Sequence, residues 1–217
     1  MVLPKIIHQT APRDRRRWPR EWSRCQETVQ RAFPSFKYHL WTDEDLDELV
    51  QQHYPWFYSF FQAYPDNIFR ADAGRYLILH HYGGIYLDMD IEVLQPFYDQ
   101  LSSSQPSIVE SPFPNLEVYQ NSLMASPPGH VLWTMVGLEM MRCFHEDPTN
   151  VLYSTGPMML DRVLAAHPSL FHPLPMKQYN PPPLDKLYST TQWQTFSPSL
   201  TLYTRHLCTA SWRHETW

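Results

Sequence analysis

The sequence predicts an α/β protein in which helices flank a mostly parallel central sheet. Short apolar segments of strand length alternate with helical patterns along the first half of the chain, and this alternation is typical of parallel sheets. Of the 217 residues, 43% are hydrophobic and 15% are aromatic, which is enough apolar material for one core. We therefore expect a single domain over residues 1–217.

Residue spacing and turn-forming residues give the order of the elements. Strands are predicted at 5–9, 36–41 and 85–87, because each is a short apolar or alternating run. Prolines crowd the chain after His167, so we expect that part to be mostly irregular. Helices are predicted over 21–33, after the capping segment 42–45, and over 53–64, 67–82, 131–144 and 156–166.

Charge and cysteine content exclude several classes of protein. The net charge of -5 argues against a dedicated nucleic-acid binder. No apolar run approaches the roughly 18 residues of a membrane span, and the N-terminus lacks the apolar core of a signal peptide. We expect a soluble, cytoplasmic chain, or a soluble part of an anchored protein of the Golgi lumen. Three scattered cysteines are too few for a disulfide framework: Cys25, Cys143 and Cys208.

Six arginines lie close together near the N-terminus, and we call them the arginine patch. Such a run is either a solvated loop that begins a helix or a surface for anionic headgroups and phosphates. The segment 13–20 is therefore a candidate for peripheral contact with a membrane. The patch consists of Arg13, Arg15, Arg16, Arg17, Arg20 and Arg24.

Two acidic residues follow the predicted strand 85–87. Asp88 and Asp90 are two residues apart, so both carboxylates can reach one ion whether the strand continues or turns. Oxygen ligands suit hard cations such as Mg²⁺ and Mn²⁺, which usually bridge to the phosphates of a substrate. The alternative is an ordinary acidic turn. In parallel sheets ligands bind beyond the carboxyl ends of strands, where this pair falls.

The helix before this strand carries a second pair of charges. Asp72 and Arg75 are three residues apart and share one helix face, and Gly83 and Gly84 then lead into the strand. An arginine directed at the same crevice as the acids is a natural phosphate clamp. The alternative is an intrahelical salt bridge between Asp72 and Arg75, which is common and weak.

Residues 68–90 resemble the sugar-binding DXD region of glycosyltransferase family 32. Other segments are similar to the same family in the same order, so the similarity runs from about residue 4 to residue 212. Within the family, the chain most resembles the mannosyl phosphorylinositol ceramide synthases. The further similar segments are 4–10, 40–45, 54–57, 121–130, 154–158, His206 and Ser211–Trp212.

This resemblance implies a GT-A fold of Rossmann-like type and a retaining, metal-dependent hexosyl transfer. It implies that Asp90 binds Mn²⁺ or Mg²⁺ directly, that Asp88 contacts the metal or the donor, and that His206 or Ser211 completes the metal site. The nucleotide-sugar donor would be held in addition by several residues near the strand ends. They are His8, Gln9, Thr10, Trp41, Gly84 and Trp212.

Three further residues are implied in the reaction itself. Asp72 would hydrogen-bond sugar hydroxyls, and Arg75 would reach the sugar–phosphate region. Asn121 has a turn as its default interpretation, because it follows an irregular stretch and precedes an apolar run. The resemblance instead implies a contact of Asn121 with the sugar or the acceptor.

The resemblance also implies substrates. GDP-mannose is favoured as donor, with UDP-galactose, UDP-glucose and UDP-N-acetylglucosamine as alternatives. The acceptor would be a hydroxyl of an inositol-phosphate lipid headgroup or of a glycan, and no nucleic acid is expected as a partner. Residues 4–130 would form the donor-binding half. Residues 131–217 would form the acceptor-side half with a C-terminal lid segment.

One departure from the family concerns base stacking. Many relatives carry tryptophan directly after the His-Gln-Thr segment, where an aromatic ring stacks on the nucleotide base in the toxin domains. This chain has Ala11 there, which leaves a non-catalytic sugar-nucleotide-binding module as one alternative. A metal-dependent phosphatase of the haloacid dehalogenase type is a weaker alternative, because Glu92 stands where that family has threonine or valine.

Overall fold

The computed structural model describes residues 2–182 and 200–209, and a central sheet organises this part of the chain. The strands are β1 (Ile6–Thr10), β2 (Lys37–Trp41), β3 (Gly84–Leu87), β4 (Ile91–Val93), β5 (Ser107–Glu110), β6 (Tyr119–Ser126), β7 (His172–Leu174) and β8 (Thr204–His206). The helices are α1 (Arg20–Ala32), α2 (Asp43–His53), α3 (Pro55–Ala63), α4 (Asn67–Tyr82), α5 (Val131–Glu146), α6 (Val151–Ser154), α7 (Pro157–Ala166) and α8 (Met176–Tyr179). Short 3-10 turns span Arg15–Arg17 and Tyr98–Gln100.

Within the described residues, the central sheet has six strands in the order β2-β1-β3-β6-β5-β7. Strand β1 pairs in parallel with β2 and β3, and β5 pairs in parallel with β7. Strand β6 pairs antiparallel with both β3 and β5, so it alone runs against the other strands of this sheet. The predicted α/β class with a mostly parallel sheet is confirmed, with one reversed strand at its centre.

The two faces of the sheet are covered by different elements. One apolar cluster lies beneath α2, α3, α4, α5 and α7, and a second lies between the opposite face, α1 and β4. Strand β3 supplies both clusters, because side chains alternate along a strand: Tyr86 belongs to the first, whereas Ile85 and Leu87 belong to the second. A strand buried on both faces explains the unbroken apolar run that precedes the acidic pair.

Two local sequence signals determine where α2 begins and where α4 ends before β3. Thr42 caps α2 in a capping box, in which Asp45 accepts a hydrogen bond from the Thr42 backbone N–H at 2.8 Å. At the end of α4, Gly83 and Gly84 have φ angles of +64° and +96°, which favour glycine. A Cβ at Gly84 would lie 2.6 Å from the carbonyl oxygen of Ile6, so the close approach of β1 also demands glycine.

A second, two-stranded sheet joins distant parts of the chain. Strand β4 follows the acidic pair directly, and β8 pairs with it antiparallel, with Ile91 opposite His206. The backbone N–H of Leu207 extends this contact by donating to the carbonyl oxygen of Asp90 at 3.0 Å. This small sheet brings the later segment of the chain to the end of β3.

Several elements differ from those predicted. The turn at Asn121 is wrong, because that residue lies inside β6, the longest strand of the sheet. The first half of β6 is mostly polar and lacks an apolar alternation, because Gln120, Asn121 and Ser122 line the cavity described below. Strand β5 was not predicted either. After His167 the described chain holds only the short elements β7, α8 and β8, in agreement with the predicted irregular region.

Bilayer crossing is not supported by any helix in residues 2–182 and 200–209, because none combines sufficient length with sufficient apolar character.

Candidate active site

A cavity of about 420 Å³ lies at the carboxyl ends of β1 and β3. The start of β6 borders the same cavity, because an antiparallel strand begins at the edge where its parallel neighbours end. The volume is within the range of small-molecule sites. Seven of the residues predicted from the sequence line it: Thr10, Asp72, Arg75, Asp88, Asp90, Asn121 and His206.

Arg75 connects the two acidic residues that flank it. Its guanidinium lies 2.8 Å from an oxygen of Asp72 and 2.9 Å from an oxygen of Asp88, and its side chain is only 6% exposed. It also donates to the carbonyl oxygen of Asn121 at 3.1 Å. Arg75 therefore makes the intrahelical salt bridge to Asp72 that was the alternative interpretation, and it also bonds to Asp88 of the acidic pair.

Asp72 and Asn121 form a polar wall next to Arg75. The amide nitrogen of Asn121 donates to Asp72 at 3.1 Å and to the hydroxyl oxygen of Tyr76 at 2.9 Å. Both Asp72 and Asn121 are buried, and Thr155 donates to Asp72 at 3.4 Å. Oriented amide, carboxylate and hydroxyl groups of this kind are suited to recognising the hydroxyl groups of a sugar.

Burial determines the direction of the pKa shift of the two carboxyl groups beside Arg75. It raises the pKa of Asp72 to about 6, although the charge of Arg75 acts in the opposite direction. Burial also raises the pKa of Asp88, again against the effect of Arg75. For Arg75 itself, burial opposes the charged form, but the neighbouring Asp88 and Asp72 outweigh it and raise the pKa. A buried excess of negative charge is a setting in which a cation binds favourably.

The chain turns directly after β3, and this turn exposes Asp88 to the cavity. The carbonyl oxygen of Asp88 accepts from the backbone N–H of Ile91 at 3.1 Å and from the side-chain amide of Gln9 at 3.2 Å. Its Oδ1 accepts from Arg75 and from the hydroxyl of Tyr86, each at 2.9 Å. Among residues 2–182 and 200–209, the contacts of Asp88 fix its backbone and Oδ1 and leave Oδ2 available for a ligand.

Asp90 is held by the returning C-terminal segment. Its Oδ1 lies 3.2 Å from Nε2 of His206, and its Oδ2 accepts from the backbone N–H and the hydroxyl of Thr209, each at 2.9 Å. Burial alone would raise the pKa of Asp90, but His206 and the bonds from Thr209 lower it overall. Burial likewise disfavours a charged His206, and the adjacent Asp90 reverses this and raises its pKa.

The donor atoms near the end of β3 fit a divalent metal ion. One atom from each of Asp88, Asp90 and His206 lies within 4.8 Å of the others. Two carboxylates and one imidazole can hold a divalent ion, and the carboxylate oxygens suit hard cations such as Mn²⁺ and Mg²⁺. A metal-binding His206 must be neutral, so binding would be coupled to the loss of its proton.

Four residues that were predicted to hold the nucleotide-sugar donor lie behind the cavity and do not line it. His8, Trp41 and Gly84 are buried in the sheet, where Trp41 donates from its indole nitrogen to Nδ1 of His8 at 3.1 Å. Gln9 is also buried, and it supports Asp88 through the bond described above. Two further predicted residues, Ser211 and Trp212, lie outside the described residues.

The cavity also contains residues that sequence reasoning missed. Trp22, on the first turn of α1, lines it and packs with Ala11 and Met89. The proximity of Trp22 to Ala11 depends on the loop 12–19, which no periodicity reveals. The other missed lining residues include Asp43, Phe113, Glu117, Gln120 and Thr209.

Comparison with known proteins identifies the family. Residues 19–108 match the family model described as the glycosyltransferase sugar-binding region containing the DXD motif, and this range includes the acidic pair. The chain belongs to this DXD glycosyltransferase family.

Curated relatives of this DXD family match most of the chain. Inositol phosphoceramide mannosyltransferase 3 of Schizosaccharomyces pombe is 36% identical over 171 residues, which cover 76% of this chain and 46% of that protein. Mannosyl phosphorylinositol ceramide synthase SUR1 of Saccharomyces cerevisiae is 34% identical over 171 residues, covering 73% of this chain and 41% of that protein. The chain thus spans about half or less of the length of these relatives.

Solved structures similar to this DXD family member share its fold. The PaToxG glycosyltransferase gives a TM-score of 0.60 at 14% identity, covering 77% of this chain and 71% of that one. The galactosyltransferase LgtC, solved with donor and acceptor sugar analogues, gives 0.55 at 10% identity, covering 94% and 87%. The predicted GT-A fold is thereby confirmed.

Proposed function

We propose that this chain transfers mannose from GDP-mannose to an acceptor hydroxyl with retention of configuration, in a reaction that requires a divalent metal ion. The observation that carries the proposal is the arrangement of Asp88, Asp90 and His206 beside Arg75 in one cavity. The mannosyltransferase names of the relatives support mannose as the sugar. UDP-sugars are the alternative donors.

The metal ion would be held by Asp88, Asp90 and His206, with Ser211 as a further predicted ligand. When bound, it would offset the negative charge that develops on the departing diphosphate. Arg75 would contribute a second positive charge on the same side of the donor. The resemblance to the family further implies that the indole N–H of Trp212 would donate to the β-phosphate.

Asp72 and Asn121 would bind hydroxyl groups of the mannosyl residue and fix its orientation. The bond between the anomeric carbon and the phosphate oxygen breaks, and its electron pair stays on the diphosphate. The acceptor oxygen forms its bond to the same carbon on the same face. The acceptor's proton passes to the departing phosphate oxygen, so no separate base is needed. Orientation and electrostatic stabilisation would supply most of the rate enhancement.

Trp22 would take the role of the aromatic residue that this chain lacks at Ala11. Its ring lines the cavity beside Ala11 and Pro12, at the end of β1. A nucleotide base placed against this ring gains stacking energy whatever its identity. His8, Trp41 and Gly84 would act on the donor only indirectly, by shaping the sheet behind it.

The arginine patch would bind an anionic membrane surface and present the cavity to a lipid headgroup. The segment 13–20 lies between Pro12 and Trp22, both of which line the cavity. Its arginines are exposed, although Arg13 lies 3.6 Å from Glu44 and Arg16 is paired with Asp14. We propose a peripheral location on this basis, with an inositol-phosphate headgroup or a glycan as acceptor.

We propose that residues 4–130 form the donor-binding half of the chain and residues 131–217 the acceptor-side half.

A panel of GDP-mannose and UDP-sugars, each with and without Mn²⁺, tests the identity of the donor by thermal shift. A ligand that binds only the folded chain raises its melting temperature. We expect a Mn²⁺-dependent rise with GDP-mannose that Asp90→Ala abolishes and the exposed control Asp99→Asn retains. A rise in melting temperature with a UDP-sugar alone would overturn GDP-mannose as the donor. No rise with any nucleotide sugar would overturn the proposal.

A further inference from the structure

Glu117 is a buried carboxylate in the cavity that the mechanism above does not use. Glu117 is one of the residues that line the cavity, and it is only 6% exposed. It lies in the loop between β5 and β6, just before the strand that carries Asn121. A carboxylate is rarely buried without a partner, so its hydrogen bonds indicate what it can still accept.

Both described hydrogen bonds to this carboxylate use the same oxygen. The hydroxyl of Ser111 donates to Oε1 of Glu117 at 2.9 Å, and the amide of Gln120 donates to the same atom at 3.0 Å. Oε2 accepts no hydrogen bond from residues 2–182 and 200–209. It can accept further hydrogen bonds from a ligand in the cavity.

The loop that carries Glu117 is fixed from both sides. The two carboxylate oxygens of Asp161, on α7, accept from the backbone N–H groups of Val118 at 2.6 Å and Tyr119 at 2.9 Å. Gln120 is held in turn by Asn180, whose amide donates to it at 2.8 Å. Glu117 is therefore presented by a supported framework, as residues that orient a substrate usually are.

Charge limits the kind of group that Oε2 can bind. The described cavity lining contains five carboxylates, from Asp43, Asp72, Asp88, Asp90 and Glu117, against the two basic side chains of Arg75 and His206. A donor diphosphate adds further negative charge, even with a divalent ion present. An anionic group next to Glu117 would be repelled, whereas a neutral hydroxyl can donate to it in a charge-assisted hydrogen bond.

We propose that Oε2 of Glu117 binds a hydroxyl of the acceptor, and that the reacting end of the acceptor is an uncharged polyol. This inference rests on the proposed function and adds an acceptor-binding residue to it. Any phosphate of the acceptor then lies away from Glu117. The residue orients the attacking molecule and is not required for binding or cleavage of the donor.

The test compares transfer with donor hydrolysis in the full chain, at saturating GDP-mannose and Mn²⁺. Acceptors are myo-inositol and methyl α-mannopyranoside, and mannosylated product and free mannose are measured separately. Glu117→Gln keeps an oxygen for Ser111 and Gln120 but loses the charge. A hydrogen bond to a charged group contributes roughly 1.5–3 kcal/mol, so we expect kcat/KM for the acceptor to fall about 10- to 100-fold. Hydrolysis should stay within about twofold.

The matched control is Glu110→Gln. Glu110 accepts a hydrogen bond from the backbone N–H of Met176 at 2.9 Å and is not among the cavity-lining residues, so both reactions should be unchanged. Unchanged transfer in Glu117→Gln overturns the inference, as does an equal fall in hydrolysis. The inference is also overturned if the wild-type chain mannosylates neither polyol and neither polyol changes its rate of donor hydrolysis. Failure of the proposed function is distinct, because the wild-type chain then neither binds nor hydrolyses GDP-mannose without acceptor.

Discussion

Arg75 shows how one side chain can combine two alternatives that spacing alone leaves open. The three-residue separation from Asp72 predicts a helical salt bridge, and that bond is present. The same guanidinium also reaches Asp88 and the backbone at Asn121, because α4 and β3 meet through a tight glycine turn. The forked, planar group of arginine is needed for three acceptors in different directions.

We expect Arg75→Lys to lower both stability and donor turnover. A lysine cannot satisfy Asp72 and Asp88 together, so a buried carboxylate loses a partner. The free energy of unfolding should fall by about 1–3 kcal/mol in urea titrations, and kcat/KM for donor hydrolysis should fall at least about 100-fold. The partly exposed Arg142→Lys is the control. Donor hydrolysis at the wild-type rate in Arg75→Lys would contradict a role for the forked guanidinium group of Arg75.

Trp22 carries the second residue-scale prediction. Base–aromatic stacking contributes roughly 1–3 kcal/mol in nucleic-acid complexes, so Trp22→Leu should weaken nucleotide binding by about 5- to 100-fold. Isothermal titration with GDP and Mn²⁺ measures this directly. Trp56→Leu is the control, because Trp56 is 43% exposed on α3 and is not among the cavity-lining residues. Equal GDP affinity in Trp22→Leu and wild type would exclude Trp22 as the stacking residue.

Among the elements, the turn from α4 into β3 was predictable because its signals are local. The apolar helix, the glycine pair and the apolar strand are adjacent in sequence, and each has a distinct pattern. Strand β6 was not predictable from its pattern, because Gln120, Asn121 and Ser122 have polar side chains that the pattern cannot assign to a buried strand. Residues that form a site often break the pattern of the element that carries them.

His8 links three elements behind the cavity. Its Nδ1 accepts from Trp41 on β2, so Nδ1 carries no proton, and Nε2 donates to the carbonyl oxygen of Gly83 at 2.9 Å. Burial lowers the pKa of His8 to about 4, and the nearby His39 and Lys37 add to this effect while the bond to Gly83 opposes it. Protonation would place two N–H groups, those of His8 and Trp41, against each other.

This geometry predicts a loss of stability in mild acid. The folded pKa of His8 lies below the unfolded value of about 6.5, so its contribution is fully present above that value and is lost as the pH falls toward about 4. Between about pH 7.5 and about pH 5, this group alone should remove about 2 kcal/mol. The stability difference between wild type and His8→Gln, from urea titrations, should shrink by that amount.

The control for this experiment is His172→Gln, which removes an exposed imidazole on β7. A His8→Gln difference that is constant over the same range would show that the folded chain takes up a proton at His8 as readily as the unfolded chain, which would contradict this prediction.

At the scale of the whole molecule, the cluster of Asp88, Asp90 and His206 depends on a contact between distant segments. Thr209 and Asp90 are 119 positions apart, and the pairing of β4 with β8 brings them together. No local pattern predicts such a contact, and only the resemblance to a family pointed to His206. The positions of Glu117 and Trp22 in the cavity could not be predicted, since they depend on loops whose paths follow from packing.

The arginine patch gives a prediction about membrane binding. Each arginine near an anionic bilayer contributes about 1 kcal/mol, so Arg15→Gln/Arg16→Gln should weaken binding to phosphatidylinositol-containing vesicles roughly 30-fold. Vesicle sedimentation measures the affinity, and added salt should weaken it further. The double variant Arg31→Gln/Lys37→Gln controls for net charge. Equal loss in both variants would mean that attraction is general and not located at the patch.

Proton NMR of the reaction without acceptor tests most directly whether the chain carries out a metal-dependent, retaining transfer from GDP-mannose. With Mn²⁺, we expect GDP and α-mannose as the first products, and a rate at least about 100-fold lower in Asp90→Ala but not in Asp99→Asn. Chelation of the metal should have the same effect as Asp90→Ala. β-Mannose as the first product, equal turnover without metal, or no turnover of any nucleotide sugar would contradict the account.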